Sequence, residues 1–120
     1  MTLAEYITIN LNRKFVWGDW DCVLFAIGWL EIATGRDYLS QHKPWKSKAE
    51  ALRKIKKLGG LEAMFDKHLQ SINPNMAHDG DLTIINDCAA LFSGVHIVCL
   101  EAESGLVFID RMEAKKAWVA

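Results

Sequence analysis

The fold is decided by residues 15–26, which read F-V-W-G-D-W-D-C-V-L-F-A. Gly18 permits a turn within the aromatic run, and Asp21 is a residue type that caps helix N-termini. The apolar residues after Asp21 predict a helix from Cys22 to Thr34, which Gly35 closes. Because this helix is apolar nearly all round, we expect it to be the buried centre of the fold.

Two tryptophans, Trp17 and Trp20, flank the turn that leads to Cys22. We expect their large rings to pack and to fix the turn, with no part in catalysis. If the Trp17 ring is buried, its replacement by Ala should cost about 3 to 5 kcal/mol of stability.

Three further helices are predicted in the first 70 residues. The sequences T-L-A-E at Thr2 and S-K-A-E at Ser47 fit the capping box, in which a Glu reaches back to the capping residue. The first box begins an amphipathic helix over residues 2–12, and a shorter helical pattern spans Leu61–Leu69. Residues 36–46 are expected to form a loop. The second box begins a helix whose expected inward residues are Leu52, Ile55 and Leu58.

The pattern becomes β-rich after residue 80. Short apolar runs alternate there with turn residues, at 81–85, 89–92, 94–100, 106–110 and 117–119. Helices followed by strands are typical of the α+β class, in which helices cover one side of an antiparallel sheet. We therefore predict one α+β domain over residues 1–120, with the sheet made after residue 80.

Length and charge exclude several classes of function. The chain has 120 residues and a formal net charge of −1, so we expect no nucleic-acid partner. Its longest apolar runs hold about six residues, whereas a membrane span needs roughly 18. The first residues carry no basic segment ahead of an apolar one, so we expect neither a membrane span nor a secretory signal.

The three cysteines are Cys22, Cys88 and Cys99, and no two of them form a C-x-x-C pair. An odd number argues against a disulfide framework, so we expect free thiols in a reducing compartment. Cys88 and Cys99 lie in strand-like runs, where cysteine packs as a small apolar residue. Cysteines and histidines are too scattered for a metal site, and we expect no metal or cofactor.

Cys22 is the candidate nucleophile because it would be the first residue of the central helix. The helix N-terminus lowers a thiol pKa, whereas the adjacent Asp21 carboxylate raises it. The alternative is a cysteine that only packs. A nucleophile needs a base, and His96 is the one histidine embedded in an apolar strand; its partner could be Cys22 or a backbone carbonyl. His42 is expected to be an exposed loop residue.

Residues 15–26 resemble the opening of a family of small phage and prophage proteins, with the pattern F-x-W-G-x-x-D-C-x-x-F-A. The family continues with T-G-x-D, matched at Thr34–Asp37. A Gly-Asp pair then opens a strand, matched at Gly80–Leu82, and an A-W-apolar ending is matched at Ala117–Val119. The resemblance covers nearly the whole chain in the same order.

That phage family is similar to the NlpC-type cysteine peptidases, which implies a papain-like fold. In those enzymes a D-C motif places the nucleophile, G-D-L opens the sheet, and H-V-G-I on the next strand supplies the base. When V-G-I is laid on residues 95–97, the base position falls on Gly94, two residues from His96 and on the same face. Asp110, on the following strand, is then the candidate for the orienting residue.

The resemblance implies two functions. The first is a tail-tip or tail-assembly component of the virion, structural or weakly active, whose partners are other phage tail proteins. The second is a cysteine hydrolase that uses Cys22, His96 and Asp110 on peptidoglycan stem-peptide amides. A third, a host-directed protein outside the tail, stays open because no residue pattern gives an address.

Overall fold

The computed structural model describes residues 1–38 and 45–120 as an α+β fold with helices before strands. The predicted loop at residues 36–46, including His42, lies largely outside the described ranges. Among the described residues, no helix is long and apolar enough to cross a membrane. The helices are α1 (Leu3–Asn10), α2 (Cys22–Thr34), α3 (Lys48–Lys57) and α4 (Leu61–His68).

Within residues 1–38 and 45–120 the sheet has six strands, and every pair of neighbours is antiparallel. The strands are β1 (Ser71–Ile72), β2 (Leu82–Ile85), β3 (Cys88–Ser93), β4 (His96–Glu101), β5 (Gly105–Asp110) and β6 (Ala117–Trp118). Their order across the sheet is β1-β6-β2-β3-β4-β5. The α+β prediction is thus confirmed. One strand, β1, lies before residue 80, in a segment for which the sequence predicted no strand.

The central helix lies where its apolar sequence predicts. Helix α2 packs against β3 and β4, and Phe25 and Ala26 at its centre are fully buried. Both predicted caps are present: the Asp21 side chain accepts from the Leu24 amide, and Gly35 adopts the left-handed conformation that ends the helix.

The second capping box differs from its prediction in detail. Ser47 accepts from the Glu50 amide as expected, but the Glu50 carboxylate accepts from the Lys46 amide instead of returning to Ser47. Of the three residues predicted to face inward, Leu52 and Leu58 are exposed. Ala51 is the buried residue of α3, because the helix docks through a narrower face than its apolar spacing indicates.

Close contacts require glycine at two positions of the sequence motifs, Gly18 and Gly80. Gly18 has φ +82°, and a Cβ there would lie 1.9 Å from the Trp45 carbonyl oxygen. Gly80 has φ +89°, and a Cβ there would lie 2.5 Å from Nε1 of Trp29. Any other residue would meet both a backbone strain and a clash, so these motif positions serve the fold.

Candidate functional site

Asp21, the residue before the candidate nucleophile, is a fully buried hydrogen-bond acceptor for three separate segments. One carboxylate oxygen accepts from the Leu24 amide at 3.0 Å. The other accepts from the Gly18 amide at 3.0 Å and from the Trp45 indole at 2.7 Å. The D-C motif therefore joins the aromatic turn, the start of α2 and the segment before α3.

Cys22 is the first residue of α2, as predicted, and its side chain is buried. Its thiol donates a hydrogen bond to the sulfur of Cys88, and the Ala89 amide lies within hydrogen-bonding distance of the Cys22 sulfur. The hydrogen bond to Cys88 raises the pKa of Cys22, and burial raises it further. Cys22 is therefore held as a neutral thiol despite its position at a helix N-terminus.

Cys88 is the first residue of β3, directly after the two-residue turn that joins β2 to β3. Both turn residues, Asn86 and Asp87, have positive φ, which suits the tight hairpin turn that fixes the register. Cys88 is half-buried and packs against the apolar residues on both sides of the sheet.

The third cysteine, Cys99, also contacts Cys88. It lies on β4 opposite Ala90, two residues from Cys88, so the two cysteines are diagonal neighbours on adjacent strands. Thiol donors at Cys22 and then Cys99 lower the pKa of Cys88, and the Lys48 ammonium lowers it further. The hydrogen bond to Cys88 and burial raise the pKa of Cys99. Cys88 is thus the thiol of the three that ionises first.

The thiols border an open cleft of about 450 Å³. Cys22 and Cys88 both line it, and Phe15, Trp17, Lys48 and Glu101 are among the other lining residues. Trp17 is half-buried and packs edge-on against Phe15, with ring centroids 4.9 Å apart. Trp20 is buried in the core beside Tyr6 and Phe25. Both tryptophans therefore pack as expected, but Trp17 does so at the surface of the cleft.

The structure does not bring His96 and Asp110 to Cys22. His96 and Asp110 are direct partners on β4 and β5, and both are exposed. His96 also pairs with Ser93, the last residue of β3, whereas Cys22 contacts Cys88 at the first. Five residues of strand separate these ends, or about 16 Å. The Asp110 carboxylate instead accepts from the Met112 amide at 2.8 Å.

The other histidines of the described ranges lie elsewhere. The His68 ring packs against Tyr38, with centroids 6.2 Å apart. His78 is an exposed turn residue whose ring nitrogen is 3.9 Å from the Asp81 carboxylate. Neither residue lines the cleft beside Cys22 within the described part of the chain. Across residues 1–38 and 45–120, no group of three or more His, Cys, Asp and Glu side chains is arranged to hold a metal ion.

Sequence reasoning missed the pairing of Cys22 with Cys88. The signal was present in the resemblance, where the base lies on the strand that follows the one opened by G-D-L. Here that strand is β3, which begins at Cys88, and β4 with His96 is one strand further. The residue match to V-G-I lies on β4, whereas the strand that follows Gly80–Leu82 and β2 in the chain is β3.

A family model described as a domain of unknown function (DUF6950) matches residues 1–120 of the chain. No curated protein and no solved structure matches the chain.

Proposed function

We propose that this chain, which belongs to the DUF6950 family, is a bacteriophage tail-tip or tail-assembly component. Its fold in this proposal is NlpC-like and papain-like, its place is the virion tail, and its partners are other tail proteins. The proposal rests on the resemblance of residues 15–26 and of the later motifs to small phage and prophage proteins. It assigns the chain no peptidase activity of its own.

The proposed lack of peptidase activity rests on the identity of the group that contacts Cys22. That group is the thiol of Cys88, where a cysteine hydrolase needs an imidazole that takes a proton and returns it to the leaving amine. A thiol whose pKa is lowered is a weak base. Cys22 itself has a raised pKa, so the attacking thiolate is scarce near neutral pH.

The motifs shared with the phage proteins have structural roles in this chain. Asp81 of the Gly-Asp pair is buried and accepts from the amides of His78 at 2.8 Å and Ala120 at 3.0 Å. Trp118 of the A-W ending packs against Phe65 and donates to Asp66 at 2.9 Å. Roles of this kind support a domain kept for its shape, because a fold can outlast its chemistry.

The test is complementation in the phage or prophage that encodes the chain. Deletion of the gene should leave defective tails by electron microscopy. Expression of the wild-type chain or of Cys22→Ala should restore intact tails and infective particles equally. Normal tails after deletion would contradict the tail role. Intact tails with Cys22→Ala that no longer infect would contradict the loss of catalysis.

The second candidate is an active peptidoglycan hydrolase that uses Cys22, His96 and Asp110. The cleft of about 450 Å³ beside Cys22 favours it, since a substrate strand needs such an opening. The separation of His96 from Cys22 along the sheet argues against this arrangement. Purified chain incubated with peptidoglycan should release no new stem-peptide amines, and release that Cys22→Ala abolishes would establish the hydrolase.

A further inference from the structure

All three cysteines of the chain meet at one place in the fold. They come from the start of α2, the start of β3 and the middle of β4, and Cys22 is 66 residues before Cys88 in the sequence. Cys88 lies in the middle and accepts from both Cys22 and Cys99.

We propose that Cys88 and Cys22 form a thiol–disulfide exchange site that takes small disulfides of the glutathione class. Cys88 is the attacking thiol, and Cys22 is the resolving thiol. The cleft that both residues line is the path by which the disulfide enters. The inference does not rest on the tail role.

Cys88 is the attacking thiol because it is the most accessible of the three and is the one that ionises. Cys22 and Cys99 are buried, whereas Cys88 is half-buried at the cleft. Hydrogen bonds from Cys22 and Cys99 favour its thiolate, and the Lys48 ammonium adds to this, whereas the hydrogen bond to Cys88 and burial hold Cys22 and Cys99 protonated. A thiolate at an open cleft is the reactive form in exchange chemistry.

Cys22 resolves the mixed disulfide in preference to Cys99 for a geometric reason. Cys88 and Cys99 are diagonal across β3 and β4, where Cα atoms are about 7 to 8 Å apart. Disulfides usually join Cα atoms about 4.4 to 6.8 Å apart, so the strand register opposes a Cys88–Cys99 bond. Cys22 approaches Cys88 from α2, outside the strand register, with its thiol already in contact.

The exchange proceeds in two balanced steps. The Cys88 thiolate attacks one sulfur of the small disulfide, forms a Cys88 mixed disulfide and expels one thiolate. Cys22 then loses its proton to that thiolate and attacks the Cys88 sulfur, which forms the Cys22–Cys88 disulfide and expels the second thiolate. The protein pair loses two electrons, and the small disulfide gains them as one thiol and one thiolate.

The test exposes the reduced full-length chain to oxidised glutathione near neutral pH, followed by acid quenching and peptide mapping by mass spectrometry. The expected product is the Cys22–Cys88 disulfide, which dithiothreitol reverses. A map with no disulfide and no glutathione adduct would overturn the proposal. A map in which Cys99 carries most of the bond or adduct would overturn it as well.

Single-residue variants distinguish the attacking thiol from the resolving thiol. With the aromatic disulfide 5,5′-dithiobis(2-nitrobenzoate), the wild-type chain should rapidly release about two chromophores and retain no adduct. Cys22→Ser should release about one and keep a stable adduct on Cys88, and Cys88→Ser should release almost none rapidly. Cys99→Ala is the control and should behave as wild type. Rapid release by Cys88→Ser equal to that of the wild type would contradict the assignment.

Discussion

The indole of Trp45 donates a 2.7 Å hydrogen bond to the buried carboxylate of Asp21, the residue that immediately precedes Cys22. Through this bond the segment before α3 is fixed to the start of the central helix. The same carboxylate caps that helix and accepts from the Gly18 turn. The acidic residue of the D-C motif therefore acts as a structural acceptor.

Replacement of Asp21 by Ala should destabilise the fold by about 3 kcal/mol or more. The change removes a helix cap, worth about 1 kcal/mol, and leaves the buried Trp45 indole and Gly18 amide without an acceptor. Chemical denaturation with Asp19→Ala as the control measures this, since Asp19 is an exposed neighbour whose loss should cost less than about 0.5 kcal/mol. Equal midpoints for the two variants would contradict the role of Asp21.

Gly80→Ala should cost clearly more stability than Gly105→Ala. Both glycines have positive φ, at +89° and +73°, so both variants pay a backbone strain of about 1 kcal/mol. A Cβ at Gly80 also meets the Trp29 indole at 2.5 Å, which adds about 1 to 3 kcal/mol, whereas nothing lies within 4 Å at Gly105. Thermal unfolding compares the two. A Gly105 variant that is as unstable as the Gly80 variant would show that only backbone strain matters.

Trp20→Ala should cost about 3 to 5 kcal/mol, because the ring is buried between Tyr6 and Phe25. Trp17→Ala should cost less, since its half-buried ring lies at the cleft beside Phe15. Denaturation midpoints rank the two variants. The reverse order would show that the Trp17 ring at the cleft contributes more to stability than the buried Trp20 ring.

Stability should fall by about 1 kcal/mol between pH 8 and pH 9.5. Cys22 and Cys99 have raised pKa values in the folded chain, so their contribution is present below the ordinary thiol pKa of about 8.5 and is lost as the pH rises. Cys88 has a lowered pKa, so its contribution has the opposite sign and grows over the same range. The losses at Cys22 and Cys99, about 1 kcal/mol each, exceed the similar gain at Cys88, so the free energy of unfolding falls.

Cys99→Ala should remove most of that fall, because one loss then balances one gain. Urea denaturation at both pH values measures the difference. A wild-type chain whose stability rises over this range would contradict the assignment of Cys88 as the single thiol that ionises early.

Local sequence predicts the helices well and the site poorly. Thr2, Asp21 and Gly35 act within a few residues of the backbone groups that they satisfy, so the bounds of α1 and α2 follow from short motifs. The burial of α3 is different, because Leu52 fits an inward helical position but nothing in the described fold covers it. Propensity and periodicity do not specify which face finds a partner.

The cysteine contact depends on two facts that no local pattern gives. The turn at Asn86 and Asp87 sets which residue begins β3, and the docking of α2 sets which strand end meets its N-terminus. Together they bring Cys22 to Cys88 and leave His96 at the far end of the sheet. Tertiary packing therefore overrides the expectation drawn from an apolar strand that contains a histidine.

The most direct test of the account is the rate of iodoacetamide alkylation at each cysteine, followed by mass spectrometry from pH 6 to pH 9.5. The account predicts that Cys88 reacts first, with an apparent pKa below about 8.5, and that Cys22 stays slow and unaffected by His96→Ala. Fastest reaction at Cys22 with an apparent pKa below about 7, abolished by His96→Ala, would contradict it and establish an activated nucleophile.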